Sequence, residues 1–163
     1  MRRERLLQMA ILLPLLVLLA LPLPYLRVLR YGSEVRLAVR GYDPAELFRG
    51  NYVQVTYAIE EELNRDLRWE EGRPRDWYVV LRPQGGIHVL ERVTETRPAA
   101  GALYLVAHSN RWGYKELRVP DRLFLPRERA LRLQEAINRP GAQLTARLTV
   151  LEGQAVLRDI SGQ

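Results

Sequence analysis

Two histidines, three tryptophans and several clusters of carboxylates are the residues in this chain with chemistry to offer. His88 and His108 each stand inside a segment that alternates apolar and polar residues. Two imidazoles facing one another across neighbouring strands, with Glu91 or Asp121 as a third donor, would suit a tetrahedral metal site. The spacing does not demand one, and ordinary hydrogen-bonded or exposed histidines are the expectation. Glu60-Glu61-Glu62 with Asp66, and Glu70-Glu71, offer paired carboxylates of the kind used in acid–base catalysis or calcium binding. Arg65, Arg68, Arg73 and Arg75 lie close by in the sequence, so a solvated, self-neutralising face is expected instead. Trp69, Trp77 and Trp112 have the flat faces needed to stack a sugar, but aromatic residues near strand ends more often cover a core. Gly85-Gly86 precedes a strand pattern and not a helix start, so it makes no phosphate cradle. The absence of cysteine excludes a disulfide framework and thiolate metal sites. No catalytic, cofactor-binding or metal site is expected. The alternative left open is a ligand-binding or hydrolytic β-domain whose polar pocket is built near Asn51, His88 and His108.

The elements that must hold these residues begin beyond an apolar segment. From Leu6 to Leu26, 21 residues carry no charge. A helix of that length rises about 31 Å at ~1.5 Å per residue, close to the ~30 Å hydrocarbon core of a bilayer. A cleaved signal peptide would end in small residues of the A-x-A kind. Leu18-Leu19-Ala20-Leu21-Pro22 is a poor cleavage site, so an uncleaved membrane helix is expected. Pro14 is tolerated in such a helix, and Pro22 and Pro24 are expected to end it. Tyr25 suits the interface, and Arg27 and Arg30 can snorkel to headgroups. Arg2, Arg3 and Arg5 on one flank oppose Arg27, Arg30 and Arg36 on the other. The positive-inside rule then gives a small bias toward a cytoplasmic amino terminus. The expected organisation is a basic cytoplasmic tip (1–5), a transmembrane helix (6–26), a juxtamembrane connector (27–33) and one extracytoplasmic domain (34–163).

The formal net charge is +6. Basic and acidic residues are interspersed beyond the anchor, with no basic block or helix face, so no nucleic-acid partner is expected. Contact of Arg27, Arg30, Arg36 and Arg40 with anionic headgroups fits their place beside the anchor better.

Alternation of apolar and polar residues predicts strands at Glu34–Arg40, Asn51–Ile59, Asp76–Arg82, Ile87–Thr94, Ala102–Ser109, Tyr114–Val119, Ala142–Leu151 and Gln154–Ile160. Pro83-Gln84-Gly85-Gly86 and Glu152-Gly153 are turn signals. Glu60–Arg68 reads as a short helix or exposed loop. A late helix is predicted over Arg127–Asn138, started by Pro126, striped with Ala130, Leu133, Ala136 and Ile137, and stopped at Arg139-Pro140-Gly141. The fold class is therefore mainly β with one late α-helix: an antiparallel curled sheet, barrel or sandwich, preceded by a single amino-terminal transmembrane helix.

Within the second strand, Gly50-Asn51-Tyr52-Val53-Gln54-Val55-Thr56-Tyr57 resembles the motif that names the GDYXXLXY-domain family of bacterial membrane-anchored proteins, with Asn51 in place of Asp and Val55 in place of Leu. Asp43-Pro44, Leu47-Phe48-Arg49 and the stretch from Tyr114 to Glu128 are also similar. The resemblance implies an extracytoplasmic domain on one membrane helix of the cell (inner) membrane, and a multi-spanning membrane protein as partner. It implies no reaction. The motif residues singled out are Gly50, Asn51, Tyr52, Val55 and Tyr57. Those that could bind a partner or ligand are Asp43, Arg49, Asn51 and Tyr52. In physical terms, Gly50 and Asn51 make a sharp turn. Val53, Val55 and Tyr57 face the core, and Tyr52 faces the other way. A weaker likeness to signal-peptidase-type proteases lacks their serine and lysine: Tyr42 stands near the nucleophile position and Glu91 at the lysine. The expected function is a non-enzymatic envelope module that associates with an integral membrane protein, its oligomeric state left open.

Overall fold

A computed structural model describes residues 2–40, 52–65, 75–126, 128–129, 132–133 and 143–162. Two helices lead: α1 (Arg2–Ala20) and α2 (Leu23–Tyr31). The domain follows as β1 (Ser33–Arg40), β2 (Tyr52–Gln54), β3 (Thr56–Tyr57), α3 (Ala58–Leu63), β4 (Asp76–Gln84), β5 (Ile87–Thr94), β6 (Tyr104–Ser109), β7 (Lys115–Leu117), β8 (Arg122–Phe124), β9 (Leu144–Leu151) and β10 (Gln154–Gly162).

The strands form two curled four-stranded antiparallel sheets, β10-β9-β1-β3 and β5-β4-β6-β7, with β2-β8 as a short separate ladder. Alternation does what it must in the long strands. Val35, Leu37 and Val39 of β1 meet Leu144, Ala146, Leu148 and Val150 of β9, all buried. The same core takes in Val79 and Leu81 from β4, Leu105 and Ala107 from β6, and Leu157 and Ile160 from β10. Register shifts at Val80/Leu81 and at Leu157/Asp159 place a bulge in each sheet, and bulges bend and twist the strands that carry them. Pro83 lies past Val80, the last residue of β4 paired with β6, so its missing N–H falls where β4 has only β5 beside it.

Two seams join the sheets. At one, the backbone N–H of Arg36 in β1 donates to Nδ1 of His88 in β5 at 3.2 Å. At the other, the β9–β10 turn meets β6 through a parallel bridge between Leu105 and Gly153. Glu152 and Gly153 both hold positive φ, 50° and 83°, the pattern of a two-residue hairpin that follows strand twist. A Cβ on Gly153 would lie 2.7 Å from the Tyr104 ring and 2.8 Å from Val106, so this approach requires glycine.

Leu12–Tyr31 is long and apolar enough to cross a membrane, and nearly all of it is exposed. Residues 27–31, read above as part of a connector, are helical. Val28 on this segment is 3% exposed, and α2 packs on β9 and β10. Gly32 then passes the chain into β1 in a tight space. Its N–H bonds Val28 O at 2.9 Å. A Cβ there would lie 2.5 Å from Val28 O, 2.6 Å from Thr149 Cγ2 and 2.9 Å from Val150 O.

Other features also differ from the sequence reading: the predicted strand Asn51–Ile59 is split into β2 and β3, and Pro83 and Gln84 extend β4 and are not part of its turn. Ile59 is helical, in α3, although it remains buried as its place in the alternation requires. β8 is an added strand. The late helix is small: residues 128–129 and 132–133 are helical, with Leu133 buried and Arg132 exposed, while Ala130, Ala136 and Ile137 fall outside the described residues.

Candidate functional site

The family-like octapeptide is described from its third residue, Tyr52, onward. Asp43, Arg49, Gly50 and Asn51 fall outside the described residues, and Tyr52 is placed as backbone, paired with Phe124. Val55 and Tyr57 are buried in the main core. They also tie down the segment between β7 and β8. The Val55 N–H donates to Asp121 O at 2.8 Å, and the Tyr57 hydroxyl donates to Pro120 O at 2.5 Å. Burial, followed by the negative charges of Asp121 and Glu60, raises the Tyr57 pKa, which keeps the hydroxyl protonated and able to donate.

The helix α3 that follows continues this cross-tie. Glu60 Oε1 accepts from the Leu117 N–H at 3.1 Å. The Asn64 carboxamide donates to Lys115 O and accepts from Lys115 N–H, both at 2.8 Å. These groups meet the outward-facing backbone of β7 as a neighbouring strand would. Burial pushes the Glu60 carboxyl up. The Leu117 N–H opposes that shift, and Glu116 and Asp121 reinforce it. The described part of the motif is thus a structural tie between β3, α3 and the β7–β8 segment.

A polar cleft lies elsewhere, on the outer face of the β5-β4-β6-β7 sheet, beside the β9–β10 turn and α2. Odd-numbered residues of β6 (Leu105, Ala107) face the core; Tyr104, Val106 and His108 alternate with them. The cleft holds about 500 Å³ and is lined by Arg27, Asp76, Tyr78, Arg97, Tyr104, Arg118 and the β9–β10 turn. At its helix end, Arg97 Nε donates to the Tyr104 hydroxyl oxygen at 3.0 Å. The Tyr78 and Tyr104 rings meet edge to face at 5.6 Å. Glu152 stands between two guanidinium groups, 3.8 Å from Arg27 and 3.6 Å from Arg97. At the far end, Asp76 Oδ1 is 2.9 Å from His108 Nδ1 and 3.3 Å from Arg118.

The structure does not bring the two histidines together. His88 pairs with Pro83 and His108 with Asp76, at opposite ends of β4. His88 Nδ1 accepts the Arg36 N–H at the seam. Among the described residues, no group of three His, Asp or Glu side chains is arranged to hold a metal. The Arg75 guanidinium and the Lys115 ammonium lie over the Trp77 ring, 4.7 Å and 4.9 Å from its centroid. Of the acidic run, Glu61 pairs with Arg40 and Glu60 with backbone. The sequence marks Glu152 only as part of a turn and does not mark Arg97. The Glu-Gly turn marks where the hairpin reverses, but only the folded chain shows what it reverses against.

The sequence profile of the family described as GDYXXLXY protein matches residues 14–160, and the chain belongs to that family. No curated protein and no solved structure matches it.

Proposed function

For a member of the GDYXXLXY family whose apolar helix runs straight into its β-domain, we propose the role of a non-enzymatic, single-pass module of the cell membrane. The β-domain stands outside the cytoplasm and serves an integral membrane partner. The observation that carries this reading is the junction at Val28 and Gly32. Most of the apolar helix is exposed along its length, as a lipid-facing segment should be. Near its end Val28 is instead buried, and α2 packs on β9 and β10. A leader destined for removal has no need of that packing, whereas an anchor that must hold a domain at fixed height does. The orientation rests on the arginines before residue 6, and the partner rests on family likeness.

Membrane extraction and a topology reporter fused after Gln163 test the reading. The chain should resist carbonate extraction, keep residues 6–26 in its mature form, and show reporter activity only outside the cytoplasm. Crosslinking in native membranes, followed by pull-down of the full chain, should recover an integral membrane protein in stoichiometric amount. A mature amino terminus between Ala20 and Arg27 would refute the anchor, and cytoplasmic reporter activity would refute the orientation.

A further inference from the structure

We propose that the helix end of the outer-face cleft binds the phosphate of an anionic membrane lipid. Three groups converge there with hydrogen-bond donors to spare. Arg97 uses Nε on the Tyr104 oxygen, and among the described residues its terminal nitrogens have only the 3.6 Å contact to Glu152. Arg27 reaches Glu152 at 3.8 Å. Both distances exceed a hydrogen bond. Tyr104 accepts from Arg97, and its own hydroxyl proton has no protein acceptor among the described residues. Two guanidinium forks and a phenol proton facing one space match the several acceptor oxygens of a phosphate. Among the described residues Glu152 is the carboxylate between them, and it rides on a turn at positive φ that Gly153 presses against Tyr104. The backbone of the turn thus fixes where Glu152 stands, and the two arginine side chains reach to it.

Its position selects a lipid over a soluble phosphate ester. Arg27 is the first charged residue after the uncharged run, so the cleft opens at headgroup depth when that run is in a bilayer. Tyr25 and Tyr31, 53% and 67% exposed on the same helix, sit where interfacial aromatics belong. The proposal rests on the membrane reading above. Carbonate extraction tests that reading separately, so a chain that stays in the membrane without lipid preference refutes only the lipid site.

The experiment titrates the delipidated full chain, in neutral detergent, with phosphatidylglycerol, phosphatidylcholine or soluble glycerol phosphate. Bound lipid is read by native mass spectrometry. Phosphatidylglycerol should bind at least about tenfold more tightly than phosphatidylcholine, a difference of ~1.4 kcal/mol, and glycerol phosphate should not compete at the same concentration. Arg97→Gln should abolish the preference without lowering the lipid-free melting temperature, since its side chain is 60% exposed. Glu152→Gln should keep or sharpen it. Equal binding of the two lipids, or an intact preference in Arg97→Gln, would overturn the proposal. Glycerol phosphate binding as tightly as the lipid would overturn it in favour of a soluble ester. If Arg97→Gln melts early, Arg27→Gln tests the same site, and an unchanged preference there overturns it too.

Discussion

Replacing Gly32 by alanine tests whether the anchor helix and the domain are one rigid piece. Gly32 has φ −77° and ψ 156°, which any L-residue adopts without strain. On backbone grounds alone, alanine should stabilise by about 0.4–1 kcal/mol, because it narrows the unfolded ensemble. The surroundings argue the reverse. The new methyl would sit under 3 Å from three atoms, and two of them are carbonyl oxygens, of Val28 in α2 and Val150 in β9. Backbone on both sides cannot rotate away, so the helix must move off the sheet. That loosens the Gly32–Val28 bond and exposes Val28. Overpacking of this kind costs about 1–3 kcal/mol, which outweighs the entropy gain. Melting of the full chain in detergent, followed by tryptophan fluorescence, should show a midpoint lowered by roughly 3–12 °C. Limited proteolysis should open a new site near residues 27–33. Gly85→Ala is the contrasting control: φ is +60° with nothing within 4 Å of the added methyl, so its cost is conformational, about 1 kcal/mol, with no new cleavage. A Gly32→Ala protein that melts at or above wild type would show that α2 is not packed as described.

Tyr57→Phe keeps the buried ring but strands Pro120 O, and should cost about 1–3 kcal/mol in denaturant titration; Tyr57→Ala should cost about 3–5, and near-equality of the two would refute a distinct role for the hydroxyl. Glu60 holds its proton more tightly folded than unfolded. Its contribution is therefore full below the unfolded pKa and lost as pH rises through the folded one. Glu60→Gln, which cannot ionise, should gain on wild type in melting midpoint as pH rises above the ordinary carboxylate range, and a pH-independent difference would contradict the assignment. Leu133→Ala should cost about 2–4 kcal/mol and Arg132→Ala under roughly 0.5; equal costs in chemical denaturation would mean that the helix face is misread.

What could be read from the sequence was whatever repeats locally. Strands of eight residues such as β1 and β9 give several periods of alternation, so their core faces are legible, as are the inward positions of Val55 and Tyr57. The Gly85-Gly86 and Glu152-Gly153 turns are legible because positive φ restricts residue choice. β2 and β8 are three residues each, too short for a period to declare itself. Ile59 kept its buried phase while changing from strand to helix, because one apolar position satisfies either pattern. The end of α2 was hidden for another reason. Arg27 and Arg30 end the uncharged run, yet the helix continues with Val28 turned inward, so charge marked the edge of the apolar segment and not of the helix. The cleft was beyond reach: Arg27, Arg97 and Glu152 are far apart in sequence, and nothing local signals their meeting.

The close fit at Gly32 leaves no swivel between helix and domain. Helix phase then becomes compass bearing. Each residue added within α2 ahead of Arg27 would turn the domain by about 100° and raise it by about 1.5 Å relative to the helix upstream. One such insertion would point the cleft and the β9–β10 turn along a different azimuth, and a further two or three would bring them nearly full circle. A neighbour gripping the upstream helix would thus meet one fixed side of the β-domain, chosen by residue count and not by a search.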